Sequence, residues 1–547
     1  MFNKEMKLEF FKKYNSLIFT ILLFALILVV RIFYLANWEM HLDADESIVG
    51  IMAKHILEGK KLPIFFYGQN YMGTLEQFTV ALFFKIFYIH PLILKIVPLI
   101  YYFLSVFFLY LIVKKYIYDK AYYLLIFLIF PPLFYIIWSL KARGGHMEII
   151  FLCTLFLYLL FKYKKYYSNH ILYLLSFVAG FAIYINAYCL PFLISVIILN
   201  YFDKSINVKK LQVKERIKKI FYLIVYFIIG LFPLIMFKVL NKESFSDVLY
   251  FEFNNIAQIP NRLYHIFFNV LPVAMGGIVN LNSDISIFSI SETLLVLLNI
   301  SAIIFVFILY RKYFIKIICF KKQKIPKQLY FIILIPVYII VFLFSFFPTH
   351  MFTVLQDRIF TPNARYFIIF IMVMPIVLLE SFLFLKKKNK LIATILLILL
   401  LFLGFLSSAQ ILFSKQNFQY TTLTFKNFMR NRSYTDIINF LIKNNYKYGF
   451  ADMWEQVNIN FISREKVQLA AFNVFNNPKL TNRYYEYWEQ SIENIDKAVY
   501  LYYDPKLNKE IENTRINIEL GDYNDIEYNY EIINNFIILY PVLNNIE

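Results

Sequence analysis

The chain has 547 residues, 60% of them hydrophobic, and a mean hydropathy of +0.59. A soluble fold of that length cannot hide so much apolar surface, and repeated apolar runs of about 20 residues mark a polytopic membrane protein. The formal charge of +19 lies in short lysine-rich segments between those runs, which reports topology and argues against nucleic acid as a partner. Cys153, Cys189 and Cys319 fall in or beside apolar runs, so neither a disulfide framework nor a zinc cluster is expected.

The first run, 17–36, follows a basic start (Lys4, Lys7, Lys12, Lys13) and is long for a signal peptide, so it reads as an uncleaved span. The loop from 37 to 91 comes next and predicts two surface helices. Ser47–Leu57 is expected to be capped by Ser47 and ended by Gly59. Thr74–Ile89 is apolar enough to cross the membrane, yet a crossing there would put every later lysine-rich loop outside; Glu76, Gln77 and Lys85 suit a helix lying along the membrane surface.

Further apolar runs at 92–113, 121–139, 147–161, 171–186, 188–202, 220–239, 293–310, 329–347, 366–385 and 391–411 bring the expected total to about eleven spans. The stretch 171–199 is too long for one helix and is split around Asn186 and Tyr188, ahead of Pro191. With the N-terminus inside, the lysine-rich loops 114–120, 162–170, 203–219, 311–327 and 386–390 fall in the cytoplasm. The opposite face then receives the acidic loop, the segment 141–148, and the polar links 241–291 and 348–365. Beyond these spans the composition turns to mixed charge, with a helix at Tyr434–Lys443 and strands at Tyr448–Ala451, Ala498–Tyr503 and Phe536–Tyr540. The expected organisation is a transmembrane catalytic domain over 1–411 and a small extracytoplasmic α/β domain over 412–547, with Trp454 in the core of the latter.

Acids at a membrane surface are expensive to keep, which draws attention to His41-Leu-Asp43-Ala-Asp45-Glu46 and to Tyr67-Gly-Gln69-Asn-Tyr71-Met-Gly73-Thr-Leu-Glu76. From Asp45-Glu46 through Gly59, Pro63 and Glu76 this loop resembles the first external loop of the GT-C membrane glycosyltransferases, the superfamily of protein O-mannosyltransferases and lipid A aminoarabinose transferases. Further similarity lies in Lys141-Ala-Arg143-Gly-Gly145-His146-Met-Glu148, Gly180-Phe-Ala-Ile-Tyr184 with Pro191, Ala364-Arg365-Tyr366-Phe367 and Ala451-Asp452-Met-Trp454.

The resemblance implies a GT-C fold with interfacial helices, and transfer of a sugar from a polyprenyl-phosphate carrier, with inversion, to an acceptor hydroxyl on the extracytoplasmic face. Asp45 matches the family's general base, and an Asp here can at the same time cap the following helix. Glu46 would orient the acceptor, or hold a divalent metal ion with Asp43 or Glu148, the acid of the second loop. Arg143 and Arg365 sit at the external ends of predicted spans, where a fork of N–H donors grips phosphate oxygens; Lys85, Arg358 and His350 stand behind them. Tyr67, Gln69 and Tyr71 offer faces and amides to sugar hydroxyls, with Gly68 and Gly73 allowing a tight turn, and Glu76 and His146 complete the expected substrate site. The partners implied are the lipid-linked donor, an acceptor that is protein, lipid or glycan, and membrane lipid. The competing reading is a lipid-linked-sugar flippase or polysaccharide transporter. Such a protein needs charges along a central path, whereas charges within these spans are few and lie near their ends.

Overall fold

A computed structural model of the chain describes residues 2–37, 42–204, 213–241, 259–277, 287–344, 365, 367–413, 434–472, 482–503, 528–534 and 536–541. Helix α1 (Phe2–Asn37) is followed by α2 (Ala44–Leu57). α2 starts three residues ahead of the expected Ser47. Its N-cap is Asp43: Oδ1 accepts from Glu46 N at 2.9 Å while Glu46 Oε2 accepts from Asp43 N at 3.1 Å, a capping box that satisfies two otherwise orphaned donors. Neither Ser47 nor Asp45 is the cap. At the other end the chain turns out at Gly59, φ +72°, where a left-handed conformation favours glycine.

A hairpin of β1 (Phe65–Phe66) and β2 (Gln69–Gly73) turns at Gly68, φ +69°, and leads into α3 (Leu75–Ile86). α4 (Pro91–Ile112) is a long apolar helix; α5 (Tyr122–Phe127) and α6 (Leu133–Trp138) are short. The expected span 121–139 is thus broken, because Pro131-Pro132 cannot continue the hydrogen-bond ladder. Buried Arg31 of α1 meets the carbonyls freed there, with Nη1 donating to Leu128 O at 3.0 Å and Ile129 O at 3.2 Å, and Nη2 donating to Tyr102 Oη at 2.7 Å.

α7 (His146–Tyr166) and α8 (Asn169–Ile185) follow, and the split at Asn186 is present: its side chain accepts from Tyr188 N at 3.0 Å across a single 3₁₀ turn before α9 (Leu190–Phe202). Gly73 answers to this end of α8. A Cβ there would stand 2.9 Å from Ile185 Cα and 2.9 Å from Tyr184 O, so the glycine serves close packing and not the turn. The helical body continues through α10 (Val213–Leu240), α11 (Ile259–His265), α12 (Leu271–Ala274), α13 (Ile287–Ile318), α14 (Leu329–Ile332), α15 (Leu334–Phe344), α16 (Phe370–Lys388) and α17 (Lys390–Phe413).

Among the described residues 6 helices are long and apolar enough to cross a membrane: Ser16–Ala36, Pro91–Ile117, His146–Tyr166, Lys214–Leu240, Ile290–Ile318 and Lys390–Ala409. Of the other expected spans, those before α16 are interrupted at the proline pair, at Asn186 or at the step between α14 and α15, while α16 is one helix of 19 residues that carries Glu380 and ends in Lys386, Lys387 and Lys388.

The C-terminal part comprises α18 (Tyr434–Lys443), β3 (Tyr448–Ala451), α19 (Met453–Ile462), β4 (Gln468–Ala471), α20 (Glu486–Glu493), β5 (Val499–Tyr503), β6 (Tyr528–Ile533) and β7 (Phe536–Pro541). The strands form one sheet in the order β4-β3-β5-β7-β6, parallel across β4-β3-β5 and antiparallel beyond. Alternation sends Leu469, Val499, Leu501 and Ile538 to one face under α18, and Phe450, Tyr500, Tyr502 and Leu539 to the other. Trp454 differs from expectation: it is 41% exposed in the first turn of α19, because Ile459 is the residue of that helix in the sheet core, while Val457 and Phe461 pack against the helical body.

α8 and α10 cross with backbones almost touching, since a Cβ at Gly180 would overlap the Phe227 carbonyl and one at Gly230 the Phe177 carbonyl. Gly180→Leu is expected to destabilise the detergent-solubilised protein by about 1–3 kcal/mol, read as a lower melting temperature than wild type, whereas Gly59→Asn, in open space, should have little effect.

Candidate active site

The first turn of α2 places three carboxylates within four residues, and three cations from elsewhere in the chain meet them. Lys95 of α4 donates to both oxygens of Glu46, at 2.5 and 2.6 Å, and both side chains are 1% exposed. Asp43 Oδ2 lies 3.0 Å from Lys141 Nζ and 2.8 Å from Arg143 Nε. Asp45 Oδ2 lies 3.2 Å from Arg143 Nη2. Residues 141–143 reach α2 because Gly144 and Gly145 both take left-handed conformations, φ +70° and +73°, before α7 begins; a Cβ at Gly145 would stand 3.0 Å from Ile185 O. Burial alone would raise the Asp43 carboxyl, but Arg143 and Lys141 outweigh it and hold Asp43 well below the ordinary carboxylate range. The same burial would lower Arg143, yet Asp43 and Asp45 keep it above its usual value.

Three polar atoms of this cluster are buried and make no hydrogen bond among the described residues: Arg143 Nε, which is ion-paired with Asp43 Oδ2, and Asp45 Oδ1 and Arg143 Nη1, which have no ion-pair contact either. Asp45 is also the acid with access, at 17% side-chain exposure against 1% for Asp43 and 1% for Glu46. An open carboxylate oxygen beside an open guanidinium nitrogen is a proton acceptor next to an anion donor.

The other expected residues divide. Arg365 comes close enough for its charge to act on both Arg143 and His146, and His146 packs edge-on against Trp138 at 4.7 Å. Glu76 accepts from Gly144 N at 2.6 Å, buried beneath the same loop, and burial with the neighbouring Glu148 pushes its carboxyl well above the ordinary range. Glu148, wholly buried in the first turn of α7, forms no ion pair among the described residues. Tyr67 and Gln69, expected at a sugar, face the C-terminal part: the Tyr67 ring stacks on Tyr484 at 5.0 Å and its Oη lies 3.1 Å from His55 Nδ1, while the Gln69 carboxamide, with its oxygen turned to Arg483, accepts at 2.9 and 3.0 Å. Tyr71 is half-buried against the main core and Lys85 is exposed. His350 and Arg358 lie outside the described residues.

Lys95 and Lys141 carry no expectation of their own from the sequence. A lone lysine inside the apolar run 92–113 was a readable sign that a buried acid awaited it. For a metal ion, Asp43 and Glu46 already have ammonium and guanidinium groups at their oxygens, and Glu148 stands apart from them. The group with metal-ligand spacing among the described residues is His55, Glu58 and Glu465, whose ligand atoms lie within 4.8 Å of one another. There Lys54 bridges Glu58 at 2.5 Å and Glu465, with Lys60 at 3.8 Å from Glu465, so ammonium charge fills the place a cation would take.

The helical body, whose first two long apolar helices are joined by an acid-bearing loop, and the small C-terminal sheet together form a fold shared with solved membrane-protein structures. The chain is similar in structure to the archaeal oligosaccharyltransferase AglB from Archaeoglobus fulgidus, solved with an inhibitory peptide and a dolichol-phosphate: 11% identity, 98% of this chain and 75% of that one, TM-score 0.51. It also aligns with ArnT from Cupriavidus metallidurans bound to undecaprenyl phosphate, at 13% identity over 96% of this chain and 98% of that one, TM-score 0.48. No protein-family model and no curated protein matches the chain.

Lys95→Met strands the Glu46 carboxylate without its counter-charge and is expected to cost about 3–5 kcal/mol, seen as loss of folded protein in detergent; the pair Glu46→Gln with Lys95→Met should recover much of that loss. The Glu465 carboxyl would be raised by burial, but His55 and Lys54 hold it down to about 2. Its contribution to stability is therefore present above the unfolded value of about 4.3 and lost as pH falls through about 2. The melting temperatures of wild type and Glu465→Gln should accordingly differ at neutral pH and converge below about pH 3.

Proposed function

We propose that this chain is an inverting membrane glycosyltransferase that moves a sugar from a polyprenyl-phosphate carrier to an acceptor hydroxyl, with Asp45 as general base. The observation that carries the reading is the adjacency of two incomplete groups, Asp45 Oδ1 and Arg143 Nη1, in a cluster whose other charges are all paired. The acceptor O–H donates to Asp45 Oδ1; as its oxygen bonds to the anomeric carbon, the bond from that carbon to the phosphate oxygen breaks on the opposite face. The proton passes to Asp45 and the electron pair stays on the lipid phosphate, where Arg143, with Arg365 beside it, meets the growing charge. The shared fold with an oligosaccharyltransferase solved with dolichol-phosphate supports a lipid-phosphate ligand of this kind.

In this reading the helices up to about residue 411 form the membrane-embedded catalytic part, and residues 412–547 the part that covers it. Both face the extracytoplasmic side, since the lysine-rich loops gather at the other ends of the helices. Glu46 supports the site structurally through Lys95, and Glu76 and Glu148 lie beneath it. Tyr67 and Gln69 act at one remove, by docking the C-terminal part, and Tyr71 lies at the same hairpin.

Asp45→Asn keeps the volume and the access of the side chain but removes its basicity. It is expected to lower transfer from a radiolabelled polyprenyl-phosphate sugar by about 10²- to 10⁴-fold with the melting temperature near wild type. Turnover within a few-fold of wild type would refute the assignment.

A further inference from the structure

α2 carries the acids at its N-terminus, and a separate stripe of the same helix is gripped by the C-terminal part. Ser47 Oγ donates to Asn458 Oδ1 of α19 at 2.6 Å. Gly50, one turn on, has no room for a side chain because the Phe461 ring lies against its Cα, and that ring is stacked in turn on Phe84 of α3, centroids 6.4 Å apart at 16°. Beyond it, Glu465 receives the C-terminal end of the helix: Lys54 binds one oxygen, while the other lies 2.8 Å from His55 Nε2 and accepts from Tyr487 Oη at 2.7 Å. His55 is wholly buried, and its other nitrogen meets Tyr67 of the hairpin.

Residues 47, 50, 54 and 55 follow the i, i+3, i+7, i+8 pattern of one helix face. α19 runs alongside that face in the same direction, since 458, 461 and 465 meet 47, 50 and 54 in order. Contacts repeated along a single face fix the roll of a helix about its axis as well as its position. Roll is the coordinate to which Asp45 is sensitive. A carboxylate some 5–6 Å from the axis moves by about 1–2 Å for a 15° rotation, and about 1 Å of misplacement is worth on the order of 10²-fold in rate.

We infer that Glu465 is a positioning residue: from the C-terminal part it locks the roll of α2 and thereby sets where Asp45 points. Its catalytic consequence rests on the glycosyltransferase reading above, but its structural consequence does not. The buried carboxylate suits this task because removing it takes from His55 its contact at Nε2 and from Lys54 one of its two carboxylates, both on α2, while leaving the sheet core untouched.

The test combines amide hydrogen exchange with steady-state kinetics on the full-length protein in lipid nanodiscs, for Glu465→Gln and Glu465→Ala. Expected is a loss of protection of about 10-fold or more across amides 47–57 in Glu465→Ala, with strands β3 and β5 protected as in wild type. kcat should fall about 10- to 100-fold with the donor KM within about 3-fold of wild type, Glu465→Gln lying between the two. Unchanged exchange across 47–57, or loss of protection spread equally over the sheet, would overturn the inference, as would loosened α2 with wild-type kcat. Should wild type itself transfer no sugar from any polyprenyl-phosphate donor, the glycosyltransferase reading falls while the exchange data still decide the role of Glu465.

Discussion

Three carboxylates at the start of one helix repel each other, and burying them is tolerable only if opposite charge is brought within contact distance. The helix N-terminus offers the partial positive charge of its free amides, and Asp43 and Glu46 take up part of it through the capping box. The rest must come from full charges, and the cost of leaving any one of them out is that of an uncompensated ion in a low dielectric. This requirement organises the first 150 residues or so of the chain. α4 must present Lys95 to α2 although lysine is costly within an apolar helix, and the chain before α7 must make two successive left-handed turns so that Lys141 and Arg143 arrive from the other side.

The same demand explains why α2 has almost no solvent-facing side. Its residues from Ala44 to Met52, Asp45 apart, are buried, although it is neither a membrane span nor a purely apolar core helix. One stripe meets the cation cluster of the helical body and another meets α19, with Gly50 as the place where the two layers approach most closely. A helix held between two layers transmits the arrangement of one to the other, so the sheet at the C-terminus is part of the environment of acids placed far earlier in the sequence.

Much of this could be read before the structure, and the remainder has a physical reason for being hidden. Gly59 as a helix end, the break at Asn186 and the helix and first strand of the C-terminal part follow from local backbone preferences, which sequence carries directly. The start of α2 was legible too, since Asp43-Ala-Asp45-Glu46 has the capping-box spacing, but Ser47 offered a competing cap that only the hydrogen bonds decide against. The gathering of Asp45 with Arg143 was anticipated through family resemblance, not through spacing. Tyr67 shows where reading residue types runs out: the amphipathic ring that suits a sugar suits a protein interface equally, and its partners, His55 and Tyr484, are set by tertiary packing. Glu465 was invisible for the same reason, as an acid in a polar tail with no local pattern around it.

The division of labour within the cluster also explains how a buried acid keeps a reactive oxygen. If Arg143 faced Asp45 alone, a bidentate pair would engage both carboxylate oxygens and quench the base. Asp43 prevents this. By drawing the Arg143 Nε edge to itself at 2.8 Å, it leaves Nη2 for Asp45, at 3.2 Å, and Asp45 Oδ1 and Arg143 Nη1 are without a hydrogen-bond partner among the described residues. The acid that caps the helix is in this way also the one that keeps its neighbour's second oxygen unpaired, and a carboxylate at position 43 matters to the chemistry without touching a substrate.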